Sequence, residues 1–175
     1  MTTRGVVVWF TGLPASGKTT LAKHVRDRLA SRTPCVLLDS DELRDLLDDH
    51  AYDAGDRDHF YKVLGNLAVM LARQGHIVLV AATAPRRAHR DRVRTEAPAF
   101  VEIYVRTPLE ACEARDIKGL YARARAEAAS TLPGVGVPYE PPFSPDVTAD
   151  GGLDRDAAAA IDRLVSCRAI AHATA

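Results

Sequence analysis

The sequence predicts an α/β domain of three layers, a parallel sheet of about five strands with helices on both faces, and three observations predict it. Short apolar runs alternate along the chain with longer segments whose apolar residues recur at helical spacing. Strands that alternate with helices need crossover connections, and these make the sheet parallel. The first run is continuously apolar rather than alternating, as a strand covered on both faces should be. The 175 residues, 47% hydrophobic and 26% charged, suit one soluble domain over 1–175 with a sizeable core.

Val6–Thr11 is the first strand, and Lys18–Ser31 follows as a helix with Leu21, Ala22, Val25 and Leu29 on one face. Cys35–Leu38 reads as the second strand, and Asp41–Asp49 as a short helix whose acidic first turn suits the helix dipole. Asp58–Gln74 places Phe60, Leu64, Leu67, Ala68 and Leu71 on one face and stops at Gly75. Ile77–Ala82 is the third strand. Pro85 suits the first turn of a helix over Arg86–Glu96, because the N–H it lacks has no partner there anyway. Phe100–Val105 is the fourth strand, Pro108 opens a helix to about Asp116, and Lys118–Ala129 continues as another. Ser130–Gly152 is dense in proline and glycine and reads as a long functional loop without regular structure. Asp154–Ala171 closes the chain as an amphipathic helix with Ala157, Ile161, Leu164 and Val165.

Lys+Arg and Asp+Glu are both 23, so the formal net charge is zero, which disfavours a dedicated nucleic-acid binder. No apolar run approaches the roughly 20 residues that span a bilayer. The apolar run at Val6 is too short for a signal peptide core, so a cytoplasmic protein is expected. Cys35, Cys112 and Cys167 are far apart, with no C-x-x-C, and read as reduced thiols rather than a disulfide or zinc framework. His24, His50, His59, His76, His89 and His172 show no ligand spacing.

In a parallel sheet, ligands bind beyond the carboxyl ends of the strands, here after Phe10, Leu38, Ala82 and Val105. The first strand runs into Gly12-Leu13-Pro14-Ala15-Ser16-Gly17-Lys18-Thr19, followed by Thr20, which fits the phosphate-loop pattern G-x-x-x-x-G-K-[ST]. Its backbone N–H groups and the helix behind it cradle phosphates. Lys18 would reach the β/γ-phosphates of ATP and the Thr19 hydroxyl would ligate Mg²⁺. A guanine reader N-K-x-D is missing, since Asn66 is the sole asparagine. Acids follow a strand only at Asp39 and Asp41, the pattern of a small metabolite or nucleotide kinase.

The chain resembles adenylylsulfate (APS) kinase over roughly residues 6–148. The resemblance is carried by the phosphate loop with Phe10-Thr11 before it, and by Leu38-Asp39-Ser40-Asp41-Glu42-Leu43-Arg44, Asp56-Arg57 and Arg90-Asp91. Phe100–Val105, Leu109–Arg125 and Pro138-Tyr139-Glu140-Pro141-Pro142 complete it. The resemblance implies phosphoryl transfer from MgATP to the ribose 3′-hydroxyl of APS, giving PAPS with no covalent enzyme intermediate. It implies that Asp39 and Asp41 hold Mg²⁺ or take the hydroxyl proton, with Asp39, nearest the strand end, as the expected base. Arg44 and Arg57 would grip the phosphosulfate and ribose side, and Tyr52 would stack on the adenine. A lid over about 115–129 would bring Arg115, Lys118, Arg123 and Arg125 to the reaction. Phe60, Arg87, Gly119, Leu120 and Leu132 would join the acceptor pocket, with Tyr139 and Glu140 fixing the 130–152 loop. A homodimer is common in this family.

Departures from the family pattern cluster on the acceptor side. D-G-D-N becomes Asp39-Ser40-Asp41-Glu42, and an asparagine becomes Phe60. I-S-P-Y-R becomes Thr83-Ala84-Pro85-Arg86-Arg87, and a second stacking phenylalanine becomes Leu132. The alternative reading is therefore a related kinase acting on another nucleotide or small hydroxyl metabolite, with Arg86 as an extra cation for a different anion. A nucleic-acid end kinase using the basic run Arg86–Arg94 is opposed by the zero net charge and the lack of interleaved aromatics. A non-catalytic nucleotide sensor is opposed by the retained Lys18, Thr19, Asp39 and Lys118.

Overall fold

The computed structural model describes residues 5–49, 51–116, 118–127 and 129–170. Five parallel strands form one sheet in the order β2-β3-β1-β4-β5. They are β1 (Val6–Thr11), β2 (Cys35–Asp39), β3 (Ile77–Ala81), β4 (Phe100–Val105) and β5 (Val147–Ala149). The helices are α1 (Lys18–Leu29), α2 (Ser40–Leu47), α3 (Ala54–Arg73), α4 (Arg87–Glu96), α5 (Leu109–Ala114), α6 (Leu120–Ala126) and α7 (Arg155–Ile170).

Every residue of β1 is buried, because the pleat sends alternate side chains into two cores. Val6, Val8 and Phe10 pack with Leu21 and Val25 of α1 and Ile161 and Val165 of α7. Val7 and Trp9 pack with Phe60, Leu64 and Ala68 of α3 and Val93 of α4. Each fully buried aliphatic side chain contributes about 1.5–3 kcal/mol. The register aligns Phe10 with Ala81 and Ile103, and Ala81 with Asp39, so the ends of β1, β2 and β3 meet along one rim.

The expected elements are present, and their ends differ for local reasons. α2 starts at Ser40 because Asp39 caps it, and α3 starts at Ala54 because the Asp53 carboxylate accepts from the Asp56 N–H. The expected helix over Lys118–Ala129 is confined to Leu120–Ala126. Residues 117, 128 and 171 of the expected lid and C-terminal helix, with His50 and His172, lie outside the described residues. One expectation is overturned. The stretch Ser130–Gly152 is not free of regular structure: β5 lies inside it and pairs with β4 from Ile103 to Val105. Among the described residues, no helix is long and apolar enough to cross a membrane.

Candidate active site

The phosphate loop leaves β1 at Gly12 and enters α1 through Gly17, whose φ of 101° is a left-handed conformation. A Cβ there would also lie 2.6 Å from the Gly152 nitrogen, so glycine is demanded twice. The loop is braced from outside. Thr107, after β4, donates its hydroxyl to the Ser16 carbonyl (2.7 Å), and Tyr121 of α6 donates to the Pro14 carbonyl (2.9 Å). Leu13 rests against Gly134, and Thr20 sits beside Gly152. Lys18 Nζ donates to the Gly12 and Leu13 carbonyls at 3.2 and 2.8 Å. Burial pushes its ammonium down to about 8, against the pull of Asp41, Cys112 and Asp39. Ser16 Oγ is buried with no hydrogen-bond partner among the described residues, a donor left over for a phosphate oxygen.

Asp39, at the end of β2, reaches past β3 to the phosphate loop that follows β1. Its Oδ2 accepts from Thr19 Oγ1 (2.5 Å), while Oδ1 accepts from the Asp41 and Glu42 backbone N–H groups. Asp41, two residues on in the first turn of α2, is exposed, and its carboxylate takes Lys118 Nζ at 2.8 Å. Asp41 thus holds the Lys118 ammonium above its usual range. Lys118 is followed by Gly119, left-handed at φ 64°, and then by α6. The Asp116 carboxylate accepts from the Leu120, Tyr121 and Ala122 N–H groups and so caps that helix. Arg115 reaches Gly151 beside the phosphate loop, Arg125 pairs with Glu113, and Arg123 is exposed.

The acceptor side is built from cations held by other residues of the chain. Arg44 is 4% exposed and lies over the Phe60 ring (3.7 Å) and the Tyr52 ring (4.6 Å). Its Nη1 donates to the Asp49 and Ala51 carbonyls and pairs with the Asp49 carboxylate. Arg57, buried on α3, donates to the Thr131 carbonyl (2.8 Å). Burial and nearby Arg44 lower its pKa. Arg87 donates its backbone N–H to Glu140 (2.8 Å) and its side chain to the Pro141 carbonyl, and lies over Phe143. Leu132 is half-buried at the head of a tight turn closed by its own carbonyl.

Two expectations change here. Arg86 is not a spare cation: Asp58 accepts both its contacts, at 2.8 and 3.1 Å, and also binds His89. The 130–152 loop does not serve the acceptor side as a whole, since β5 extends the sheet and Gly151-Gly152 lie against the phosphate loop.

Several residues were given no role by the sequence reading, though some lie in the segments that carry the resemblance. Thr107 and Thr11 hold the two ends of the phosphate loop, and neither lies in a motif whose chemistry announces it. Arg90 and Glu102, both buried, pair at 2.8 Å between α4 and β4, which only tertiary structure brings together. Asp116 had a legible signal, an acid just before a helix start.

The comparisons with known proteins agree with this geometry. The family model described as adenylylsulphate kinase matches residues 4–150. An adenylyl-sulfate kinase of Synechococcus sp. (strain JA-3-3Ab) is 47% identical over 146 residues, 82% of this chain and 83% of that one. The structure of the Mycobacterium tuberculosis APS kinase in complex with AMPPNP and APS superposes with a TM-score of 0.83. It is 40% identical and covers 93% of this chain and 98% of that one. The hexameric APS kinase of Thiobacillus denitrificans superposes at 0.63 and 26% identity, covering 95% of this chain and 29% of that one. The chain belongs to the adenylylsulphate kinase family and is a phosphotransferase with a hydroxyl acceptor.

Proposed function

We propose that the chain transfers the γ-phosphoryl of ATP to the 3′-hydroxyl of APS, giving PAPS and ADP. The observation that carries the reading is the meeting of two strand ends, where Thr19 of the phosphate loop bonds Asp39 and Asp41 stands two residues beyond it. The acceptor comes from the family. Lys18 leaves the Gly12 and Leu13 carbonyls for the β/γ-phosphates. The acceptor oxygen bonds to the γ-phosphorus as the bridge to the β-phosphate breaks. ADP takes that electron pair, and the hydroxyl proton passes to a carboxylate.

The hydrogen bonds favour a division of labour between the acids. Asp39 already accepts from Thr19 and two backbone N–H groups, and a hydroxyl beside a carboxylate is the hard-oxygen donor set that suits Mg²⁺. Mg²⁺ would neutralise charge on the phosphates. Among the described residues the Asp41 carboxylate is held by Lys118 alone, whose release would free it as the base, in place of the Asp39 expected above. Arg44 and Arg57 would hold the anionic end of the acceptor, and Tyr52, with Leu132 opposite, its base. Arg115 and Lys118 would close over the phosphates, with Gly119 and Leu120 setting the turn.

The test is steady-state ADP release with MgATP and APS, beside AMP, ADP, CDP, simple hydroxy metabolites and a DNA 5′-hydroxyl. Turnover with APS alone, with PAPS as product, is expected. Inert APS with another acceptor active overturns the acceptor, and tight ATP binding with no turnover overturns the kinase. A homodimer is proposed as the assembly, supported by Val63 and Met70, exposed on α3. Light scattering at a single-chain mass would refute it.

A further inference from the structure

The acceptor loop and the phosphate loop must be held in register, because in-line transfer tolerates little misplacement of the two reacting oxygens. Among the described residues, one hydrogen bond joins the 130–142 segment to β1 and the phosphate loop: Tyr139 Oη to Thr11 Oγ1, 3.0 Å. The polar contacts of Glu140 run instead to the β3–α4 connection and to α4. The Glu140 N–H donates to the Pro85 carbonyl, its carboxylate accepts from the Arg87 N–H, and its carbonyl accepts from Arg90.

The direction of the Thr11 bond follows from proton counting. Thr11 is fully buried and has one hydroxyl proton, which it gives to the Thr83 carbonyl at 2.7 Å. The phenol must therefore be the donor to Thr11. Burial raises the Tyr139 pKa, so the phenol keeps that proton at neutral pH. The ring stacks with Tyr104 at 6.3 Å and lies 6.0 Å from the Arg90 guanidinium. Arg90 is itself fixed: it is fully buried, and its fork spans Glu102 (2.8 Å), the Ala84 carbonyl (2.5 Å) and the Glu140 carbonyl (2.8 Å).

We infer that Tyr139 is a positioning residue that couples the acceptor loop to the phosphate loop through Thr11, with Arg90 as its anchor. The kinetic consequence rests on the APS reading above. The coupling itself does not. Leu13 also rests against Gly134 between the two loops, a contact that is apolar and non-directional.

The decisive variants are Tyr139→Phe, Thr11→Val and Thr11→Ser. Tyr139→Phe should lower kcat/KM for APS about tenfold, one lost hydrogen bond, while the affinity for AMPPNP changes less than twofold. Thr11→Ser keeps the hydroxyl and should stay near wild type. Thr11→Val also takes the donor from the Thr83 carbonyl, so it should fall at least as far as Tyr139→Phe, and the double variant should be no worse than Thr11→Val alone, as expected of a pair acting as a unit. Hydrogen exchange supplies the readout that does not need APS. AMPPNP should protect residues 130–142 in the wild type, and Tyr139→Phe should abolish that transmitted protection. A wild type inert to APS refutes the functional reading and leaves exchange to decide the coupling. The inference is overturned if Tyr139→Phe keeps the wild-type transmitted protection, if its APS and AMPPNP parameters fall together, or if the two single losses multiply.

Discussion

The donor side and the acceptor side of this site are built on different plans. On the donor side a contiguous loop shapes itself by backbone geometry, and Thr107 and Tyr121 brace its carbonyls from two other elements. On the proposed acceptor side the candidate binding groups come from α2, α3, α4 and the 130–142 loop. Each arginine there is held by the protein: Arg44 by Asp49, Tyr52 and Phe60, Arg57 by Thr131, and Arg87 by Glu140 and Pro141. The backbone N–H groups of the cradle need no exchange of partners to receive phosphate, and there Lys18 has only two carbonyls to leave, whereas each arginine held by the chain must give up or share contacts to receive an anion. On the proposed reading, the choice of substrate falls to the acceptor side.

The largest effects should fall where the two sides meet. Asp39→Asn and Asp41→Asn should each lower kcat about 100-fold or more. Only Asp39→Asn should raise the Mg²⁺ concentration for half-maximal rate, and asparagine still caps α2, so the fold should survive. A shared Mg²⁺ response in both variants would undo the proposed division of labour. Next, Arg44→Met and Arg57→Met should raise KM for APS about tenfold, as losing a charge-assisted hydrogen bond does, with KM for ATP within twofold. Parallel rises in both constants would erase the contrast between the sides.

A smaller effect separates Lys18 from the rest. With its pKa near 8, the ammonium loses its charge as pH rises through that value, so kcat/KM for ATP should fall above about pH 8. Stability should move the other way. From about 8 to the ordinary 10.5 the unfolded chain binds more protons than the folded one, so this group's contribution rises with pH. Lys18→Arg should move the kinetic inflection upward. The smallest effect is expected at Arg86, paired with Asp58 at the surface: Arg86→Ala should alter KM for APS less than twofold and stability by about 1 kcal/mol or less.

The strands and major helices were legible because apolar periodicity is local, and the phosphate loop because its glycines and lysine are contiguous. β5 was not: three residues amid prolines and glycines gain strand character only by pairing with β4. The separate ends of the 130–152 segment were illegible for the same reason, since one end packs on Leu13 and the other on Gly17. Family motifs pointed to Arg44 and Tyr52. That Phe60 would lie beneath the Arg44 guanidinium could not be read from residues 16 apart on different helices. Arg86 looked like a spare cation because Asp58, its partner, belongs to α3 rather than α4.

Phosphorus NMR of the product formed from MgATP and APS tests the central claim most directly. The account predicts loss of the γ-phosphorus signal with matching growth of one 3′-phosphomonoester on the phosphosulfate nucleotide, together with ADP. Inorganic phosphate as the only new product, or a phosphomonoester on any other acceptor with APS unconsumed, would contradict it.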